Sequence, residues 1–338
     1  MSFGGRLRMA RKAKQLSMEK LAEQVGLSTM SISKYENDKM NPDSTMMLKL
    51  ANALDVKVEF FFRELELKVT PIKKRGHSRL SKADEQMVTA RVLEYTERYF
   101  EANSFLPYEK EPHLPKKSFD SFDDIERVAL ELRHDWKIGL DPIDSLVRTL
   151  EDKGIIIYFV DSVEKLDALT FEANGTHVIA VRKDVPGDRQ RFNIAHELGH
   201  IILDIPEGMT EQDEEKAAHR FAGAFLVPAP VVKMEIGPGK RTFVSVEELY
   251  LLKHKYGLSI QAWIRRGKDL DIITHHVYQS LMGMFSARGW RKQEPGDPYP
   301  SEKPPENFEQ LVRKLYSEKA ISFSKAQELY GAPLKVFS

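Results

Sequence analysis

The sequence predicts a multidomain protein in which an all-α N-terminal domain precedes an α+β domain built on a small sheet, with a helical region at the C-terminus. Three patterns lead to this fold class. Short helical blocks separated by turn signals fill residues 5–62, strand and hairpin signals follow a linker at 63–118, and helical periodicity dominates residues 236–338. The chain of 338 residues is long enough for about two or three domains. We therefore expect the α+β domain to occupy residues 119–235.

Charge is distributed unevenly along the chain. Lys and Arg total 51 and Asp and Glu total 51, so the formal net charge is +0. Residues 1–82, however, contain 17 Lys and Arg against 9 Asp and Glu, a net charge of +8, which leaves residues 83–338 with 34 against 42 and a net charge of −8. A basic segment is typical of nucleic-acid binding. The zero total therefore conceals a basic N-terminal part and an acidic remainder.

The composition also restricts the chemistry and the compartment. The chain contains no cysteine, which excludes disulfides and Cys-ligated zinc or iron–sulfur sites. A metal ion would have to be held by His and carboxylate side chains. The longest strongly apolar run, 154–160, is far shorter than the roughly 20 residues of a membrane-spanning helix, and the N-terminus has no signal-peptide pattern. We expect a soluble, cytoplasmic protein with no membrane partner.

The N-terminal domain carries the pattern of five short helical segments. The predicted segments are 6–14, 17–24, 28–36, 44–54 and 58–62. Ser17 and Ser28 can each cap the helix that follows, and Gly26 permits a tight turn between those two helices. The order of helix, turn and helix predicts a helix-turn-helix motif.

Such a motif places the N-terminal residues of its second helix in the major groove of double-stranded DNA. The candidates for contacts with base edges are Thr29, Met30, Ser31 and Lys34. The candidates for contacts with phosphates are Gln15, Ser17, Asn37 and Lys39. The net charge of +8 supplies the attraction to an operator. A small helical bundle used only for dimerisation or protein contacts is the alternative.

The stretch LAEQVGLSTMSISKYENDKMNPDSTMMLKLANALDV resembles the Cro/C1-type (XRE) helix-turn-helix family, and the resemblance extends over 5–62. The positions that match the family pattern in order and spacing are Leu21, Ala22, Gly26, Ile32, Tyr35, Glu36, Pro42, Leu50 and Ala51. Tyr35 stands where many members carry Trp. The resemblance implies binding to operator DNA and a role in transcription regulation.

The linker contains one amphipathic helix, predicted at 81–103. Its apolar side chains recur at helical spacing at Val88, Val92, Tyr95 and Tyr99. This helix is either a spacer, a seam that forms a homodimer, or an element that packs on its own domain. Pro107, Pro112 and Pro115 interrupt the chain afterwards, which makes 106–118 the expected flexible boundary.

The α+β domain is predicted from local signals. Asp141 followed by Pro142 indicates the start of a helix that Gly154 closes, and Asn174 followed by Gly175 favours a type I′ hairpin. The predicted helices are 123–134, 192–203 and 211–226, and the predicted strands are 155–160, 166–171 and 177–181. A Pro- and Gly-rich break at 294–305 divides the helical C-terminal region.

The segment FNIAHELGH contains the pattern H-E-x-x-H on a predicted helix. Four residues make about one helical turn, so His196 and His200 project from the same face and can hold one metal ion, while Glu197 can act as general base on a water molecule. The chemistry natural to this arrangement is hydrolysis of a peptide bond. The alternative is a pair of core histidines, which explains two His flanking a Glu on an apolar helix poorly.

A hydrolytic zinc site usually has a third protein ligand. Glu215 is the candidate because it lies one turn before His219 on the inward face of the next helix, whereas Glu211, Asp213 and Glu214 suit the solvated first turn. Glu215 as a further first-turn carboxylate is the alternative. His219 is either a hydrogen-bond partner of one of the metal ligands or a polar surface residue. Zinc is favoured by two His and one Glu, with Mn²⁺ and Fe²⁺ as open alternatives.

The segments RQRFNIAHELGHIILD and EEKAAHRFAGAFLVP resemble the ImmA/IrrE family of metallo-endopeptidases, and the likeness spans about 120–290. The resemblance implies a zincin-like fold, with His196, His200 and Glu215 as metal ligands and Glu197 as base. Three tail stretches are also similar to members with an XRE domain ahead of the peptidase: Gly257 to Arg266, Gly289 to Pro295 and Ile321 to Ala326. Many members have a second Glu where this chain has Ala217, so Glu215 alone has the right register.

The sequence therefore favours a DNA-binding regulator that cleaves a protein, either an XRE-type repressor or its own linker at 63–118. We expect the substrate to add as a strand alongside 178–181. Two alternatives remain: a transcription factor whose peptidase-like domain is a sensor with little proteolysis, and a toxin–antitoxin or partner-binding module.

Overall fold

The computed structural model describes residues 2–63, 67–70, 80–107, 114–161 and 163–331. Much of the predicted flexible boundary, including Pro112, lies outside the described residues. The helices of the N-terminal domain and the linker are α1 (Phe3–Ala13), α2 (Met18–Val25), α3 (Thr29–Glu36), α4 (Ser44–Leu54), a 3₁₀ helix (Val58–Phe62) and α5 (Lys82–Asn103). The central elements are β1 (Lys117–Ser118), α6 (Ile125–Asp135), α7 (Leu146–Asp152), β2 (Ile156–Val160), β3 (Ala168–Ala173), β4 (Thr176–Arg182), α8 (Gly187–Ile202), β5 (Leu203–Asp204) and α9 (Glu211–Leu226). The C-terminal helices are α10 (Ala229–Ile236), α11 (Val246–Tyr256), α12 (Ile260–Asp269), α13 (His275–Ala287), α14 (Asn307–Ser317) and α15 (Phe323–Tyr330).

The N-terminal domain forms the predicted helix-turn-helix. Ser17 caps α2 by accepting a hydrogen bond from the backbone of Lys20, and Ser28 caps α3 by accepting one from Ser31. Gly26 adopts φ 73° at the turn between them, a backbone conformation that favours glycine. The helices bury a common apolar core whose members include Leu7, Leu21, Ile32, Leu50 and Phe60. Local capping signals thus fixed both ends of the motif.

Helix α5 packs within its own chain, between the N-terminal domain and the sheet. Ala90 belongs to the core of the N-terminal domain. Met87, Val88 and Val92 instead join the apolar cluster formed with β2, β3 and β4. Among the three roles predicted for this helix, the contacts match packing on its own chain.

Buried ion pairs also fasten the N-terminal domain to the rest of the described chain. Arg6 is fully buried, pairs with Glu97 of α5 and donates a hydrogen bond to the carbonyl of Arg63 at 2.8 Å. Arg63 in turn donates to Glu328 of α15 at 3.0 Å. A buried charge that loses its partner is costly. These pairs therefore hold α1 and residue 63 against α5 and α15.

The three-stranded sheet has the order β2-β4-β3. Strand β4 is parallel to β2 and antiparallel to β3, and the hairpin turn places Asn174 at φ 49° and Gly175 at φ 78°, as a type I′ turn requires. Because β4 is hydrogen-bonded on both sides, residues 178–181 cannot accept a further strand. The expected substrate position alongside 178–181 is wrong, since the sequence shows the hairpin but not which arm lies at the edge.

Helix α7 starts later than the sequence predicts. Asp141 and Pro142 do not begin it. Its first residue is Leu146, and Ser145 caps it by accepting from the backbone of Arg148. The buried carboxylate of Glu302 also accepts from the backbone of Leu146 at 3.1 Å. The start of α7 is therefore fixed by its own cap, Ser145, together with a side chain far along the chain.

Residues 291–306, hereafter the strap, form the last part of the connection between α13 and α14. Glu302 of the strap caps α7, and Glu294 accepts hydrogen bonds from the backbone of Ile260 at 3.0 Å and Gln261 at 2.9 Å at the start of α12. In the reverse direction, Glu151 of α7 accepts from the backbone at the start of α14. Burial raises the pKa of Glu151 to about 7. The strap thus contributes helix caps to elements on both sides of it.

A single apolar cluster runs from Phe119 to Phe285 and includes residues of the sheet, α8, α9 and α11 to α13. Packing therefore gives no division at 235/236, where the sequence suggested one. No helix in the described part of the chain is long and apolar enough to cross a membrane.

Candidate metal centre and DNA-facing helix

Helices α8 and α9 pack closely enough to bring their polar residues together. Gly199 of α8 allows this approach, because a Cβ atom there would lie 3.1 Å from the ring of Phe221 and 3.2 Å from the Cα of Ala218, both on α9. The rest of the interface is apolar and buried. His196 and His200 of α8 consequently face Glu215 of α9.

The three side chains present their ligand atoms at one point. The Nε2 atoms of His196 and His200 lie 3.1 Å apart. Glu215 places Oε2 3.3 Å from His196 Nε2 and Oε1 3.4 Å from His200 Nε2. A tetrahedral ion with bonds of about 2.0–2.1 Å has ligand atoms about 3.3–3.4 Å apart. The two imidazole nitrogens and the carboxylate therefore lie at separations close to those of ligand atoms around one zinc ion, with Oε2 of Glu215 facing His196 and Oε1 facing His200.

The surroundings of these atoms agree with a cation at this point. Among the described residues, His196 Nδ1 is buried without a hydrogen-bond partner, and Glu215 Oε1 is buried facing Nε2 of His200 at 3.4 Å. Burial acts to raise the pKa of Glu215, but hydrogen bonds and charges from His196 and His200 outweigh it and hold the pKa well below its usual value. Two imidazoles and one carboxylate are the donor set that suits zinc. The residues present fit the ion.

Two neighbouring side chains, Glu197 and His219, belong to the same cluster. Glu197 is buried, at 7 % exposure, between the two histidines in the sequence of α8. The ring of His219 lies 4.3 Å from that of His196, centroid to centroid, and its Nδ1 donates to the carbonyl of Glu215 at 2.8 Å. Because His219 contacts both His196 and Glu215, the prediction that it supports a metal ligand is favoured over the prediction of a surface position.

Glu214 was missed by the sequence reasoning. One of its carboxylate oxygens lies 3.5 Å from Nδ1 of His200, the ring nitrogen that points away from Glu215. A carboxylate at that nitrogen orients a histidine ligand and fixes its tautomer. The sequence placed Glu214 with Glu211 and Asp213 among the solvated residues of the first turn, at the positive end of the helix. Its position directly before Glu215 was the available signal.

The first residues of α3 face solvent. Thr29, Met30 and Lys34 are exposed, with Met30 at 68 %, and Ser31 is partly exposed. Ser31 shares a 2.9 Å hydrogen bond between hydroxyl groups with the cap Ser28. These four side chains can therefore reach a groove that α3 enters.

All four predicted phosphate contacts, Gln15, Ser17, Asn37 and Lys39, are exposed, but the amides of Gln15 and Asn37 already have hydrogen-bond partners. The Asn37 amide nitrogen donates to the carbonyl of Ser33 at 2.7 Å, and its oxygen accepts from Arg8 at 2.9 Å. The Gln15 amide donates to Asp84 of α5 at 3.2 Å. Gln15 thus lies against α5, and this contact makes it the least suitable of the four for binding a phosphate.

The fold and the cluster define a protein with two parts, a helix-turn-helix domain and an α+β domain with an H-E-x-x-H helix. Residues 7–61 match a helix-turn-helix family model, and residues 150–267 match the M78 peptidase family, described as an IrrE N-terminal-like domain. The chain therefore joins a helix-turn-helix domain of the XRE type to an IrrE/ImmA-like domain.

Curated relatives share a limited part of this chain. HTH-type transcriptional regulator ImmR of Bacillus subtilis (strain 168) is 31 % identical over 67 residues, which are 20 % of this chain and 53 % of ImmR. An uncharacterized transcriptional regulator in the ATPase CF(0) region of Rhodospirillum rubrum is 36 % identical over 63 residues, 19 % of this chain and 58 % of that protein. The prophage-derived regulator YonR of Bacillus subtilis (strain 168) is 34 % identical over 61 residues, 18 % of this chain and 56 % of YonR. The chain thus spans little more than half the length of these relatives.

Proposed function

We propose that this protein is a DNA-binding transcriptional regulator that carries a zinc-dependent endopeptidase, and that the peptidase cleaves a repressor-type protein of the XRE class. The single observation that carries the proposal is the convergence of His196, His200 and the Glu215 carboxylate, whose ligand atoms lie 3.1–3.4 Å from one another in neighbouring pairs. The match to the M78 peptidase family and the likeness to regulators such as ImmR support the two halves of it.

His196, His200 and Glu215 would hold the ion, with His219 and Glu214 fixing the orientation of the ligands. When bound, the ion supplies Lewis acidity, which lowers the pKa of water toward about 7 and polarises a carbonyl group. The carboxylate of Glu197 takes the proton of the attacking water and delivers it to the leaving amine nitrogen as the carbon–nitrogen bond breaks. Apolar residues of α8, among them Ile194, Ala195 and Leu198, pack in the core beside these groups.

The outer edge of β3 is the place for a substrate strand. Strand β3 runs along α8, because Asp167 just before it pairs with Arg189 at the start of α8. At the other end of α8, Lys116 donates to the carbonyl of His200 at 3.4 Å. Lys116 is also near His177, because burial and the charge of Lys116 lower the pKa of that histidine. His177 stands opposite Glu172 of β3. The edge therefore borders the helix that carries His196. Extended peptides add to such edges through main-chain hydrogen bonds.

The DNA half rests on α3. Its exposed N-terminal residues and the net charge of +8 over residues 1–82 suit the major groove and the phosphate backbone of an operator. We assign Thr29, Met30, Ser31 and Lys34 to base edges, and Ser17, Asn37 and Lys39 to phosphates.

Metal binding tests the peptidase half directly. We expect the protein purified with zinc to hold one equivalent. Glu215→Gln should weaken zinc binding by more than the about 10- to 100-fold that the loss of an outer partner causes. Glu211→Gln, an exposed carboxylate in the first turn of the same helix, is the matched control and should bind zinc like the parent. Equal zinc affinity in all three proteins, measured by competition with a chromogenic chelator, rejects Glu215 as a ligand.

Selection from random duplex DNA tests the other half. We expect enrichment of one operator sequence. Lys34→Ala should lose about 1–3 kcal/mol of binding free energy on that operator and relax the preference at one base position. Lys49→Ala, which removes an exposed lysine of α4, should retain the preference. Fluorescence anisotropy on operator variants measures both effects, and no enrichment of any sequence contradicts sequence-specific binding.

A further inference from the structure

The chain places part of its own linker on the outer edge of β3. Residue 69 forms an antiparallel bridge with Ala173. The backbone of Asn174 donates to the carbonyl of Lys68 at 3.0 Å, and the backbone of Thr70 donates to the carbonyl of Glu172 at 2.9 Å. Residues 68–70, hereafter the linker strand, therefore pair with β3 as a further strand of the sheet.

Side chains add to this pairing. The amide oxygen of Asn174 accepts from the backbone of Lys68 at 2.9 Å. The hydroxyl of Thr70 accepts from the backbone of Glu172 at 2.9 Å. Val69 packs into the apolar cluster between the sheet and α5. The linker strand is thus held by its backbone, by two polar side chains and by one apolar contact.

The register sets which face each side chain occupies. Directly paired residues share a face of the sheet. Val69, opposite Ala173, lies on the face covered by α5. Glu172 stands opposite His177, two residues before Ile179, and Ile179 belongs to the cluster with α8. Because side chains alternate along a strand, Lys68 and Thr70 lie on the face of the sheet that carries α8 and the metal cluster.

We propose that the linker strand is an internal competitor for the substrate-binding edge, so that the peptidase is autoinhibited until residues 68–70 leave β3. This inference rests on the proposed function, because it regulates the same site. One edge can pair with only one strand at a given position. A protein substrate that extends to Glu172 must displace the linker strand.

The position of the linker strand in the chain couples this edge to the N-terminal domain. It lies five residues after Arg63, which is held by Glu328 of α15, and before α5. A displacement of the N-terminal domain that breaks the Arg63 contact therefore acts on the segment that occupies β3. Occupancy of the edge becomes dependent on the state of the DNA-binding domain.

The test measures access to the edge by peptide binding, without relying on hydrolysis. The probe is a fluorescein-labelled peptide of residues 66–75, ELKVTPIKKR, added to the full chain in the Glu197→Gln background, with a scrambled peptide of the same composition for comparison. Thr70→Pro removes the backbone donor to Glu172. Val69→Pro is the matched control. The two backbone hydrogen bonds of the bridge use the carbonyl of Lys68 and the N–H of Thr70, so a proline at position 69 removes neither of them. Thr70→Val keeps the backbone donor and removes only the hydroxyl.

We expect Thr70→Pro to bind the peptide about tenfold or more tightly than the parent, because the fraction of molecules with an open edge multiplies the apparent affinity. Val69→Pro should stay within about threefold of the parent and Thr70→Val should lie between them. Equal affinity in all four proteins, with circular dichroism spectra unchanged, overturns the inference. Tighter binding by Thr70→Pro without zinc-dependent cleavage of the peptide in the Glu197 form keeps the inference and counts against the proposed peptidase.

Discussion

Replacing Glu197 by Gln is expected to abolish hydrolysis while the protein keeps its metal. Glu197 lies between His196 and His200 in the sequence of α8 and is buried, and in the proposed function it takes the proton of the attacking water. Loss of a positioned general base reduces the rate by about 10²- to 10⁴-fold. The measurement is the rate of cleavage of an XRE-type repressor, followed by mass spectrometry, together with zinc content by atomic absorption.

Glu207→Gln serves as the control, because Glu207 is exposed in the turn that separates α8 from α9. It should cleave at the parental rate. A Glu197→Gln protein that cleaves as fast as the parent contradicts the assignment of the base. Regulation of the target genes that is equal in parent and variant, with no cleavage in either, favours the alternative in which the domain is a sensor.

Replacing Glu302 by Ala is expected to lower the free energy of unfolding by about 3–5 kcal/mol, the cost of breaking a buried ion pair from one side. Glu302 pairs with Arg191 of α8, and both side chains are almost completely buried. The same carboxylate accepts from the backbone of Leu146 and the hydroxyl of Ser145 at the start of α7. Its removal leaves a buried guanidinium without its anion and leaves the Ser145 side chain as the remaining cap of α7. Urea unfolding followed by circular dichroism measures the change.

Lys303→Ala, at the exposed neighbouring position, should change stability by less than about 0.5 kcal/mol. The double variant Arg191→Met with Glu302→Leu should recover much of the loss, because no buried charge then lacks a partner. If Glu302→Ala and Lys303→Ala unfold at the same urea concentration, the pair does not contribute as its burial indicates.

The parts of the fold that the sequence predicts well are those decided by neighbours in the chain. Ser17 and Ser28 each accept a hydrogen bond from the backbone three residues ahead and so cap the helix that follows. Asn174 and Gly175 form the hairpin turn, and α9 has the predicted bounds. The pair His196 and His200 belongs to this class, because one helical turn separates them.

Features decided by distant residues could not be predicted. The start of α7 depends on Glu302, which is 156 residues after Leu146. The central position of β4 depends on pairing with β2 rather than with its hairpin partner alone. Asp84 engages Gln15 from 69 residues away. In each case the partner lies far away in the sequence, and only the tertiary fold brings it into contact.

The caps contributed by the strap make the recognisable domain shorter than the unit that folds. The family match covers residues 150–267, yet α7, which overlaps its start, and α12, which overlaps its end, receive caps from Glu302 and Glu294 beyond residue 267. A gene fragment that stops at the boundary of the match therefore encodes two helices with orphaned backbone donors and a buried arginine without its anion. When recombination transfers this peptidase-like module to another protein, the transferred segment must include the strap to keep these helix caps. We therefore expect the module and the strap to be inherited together.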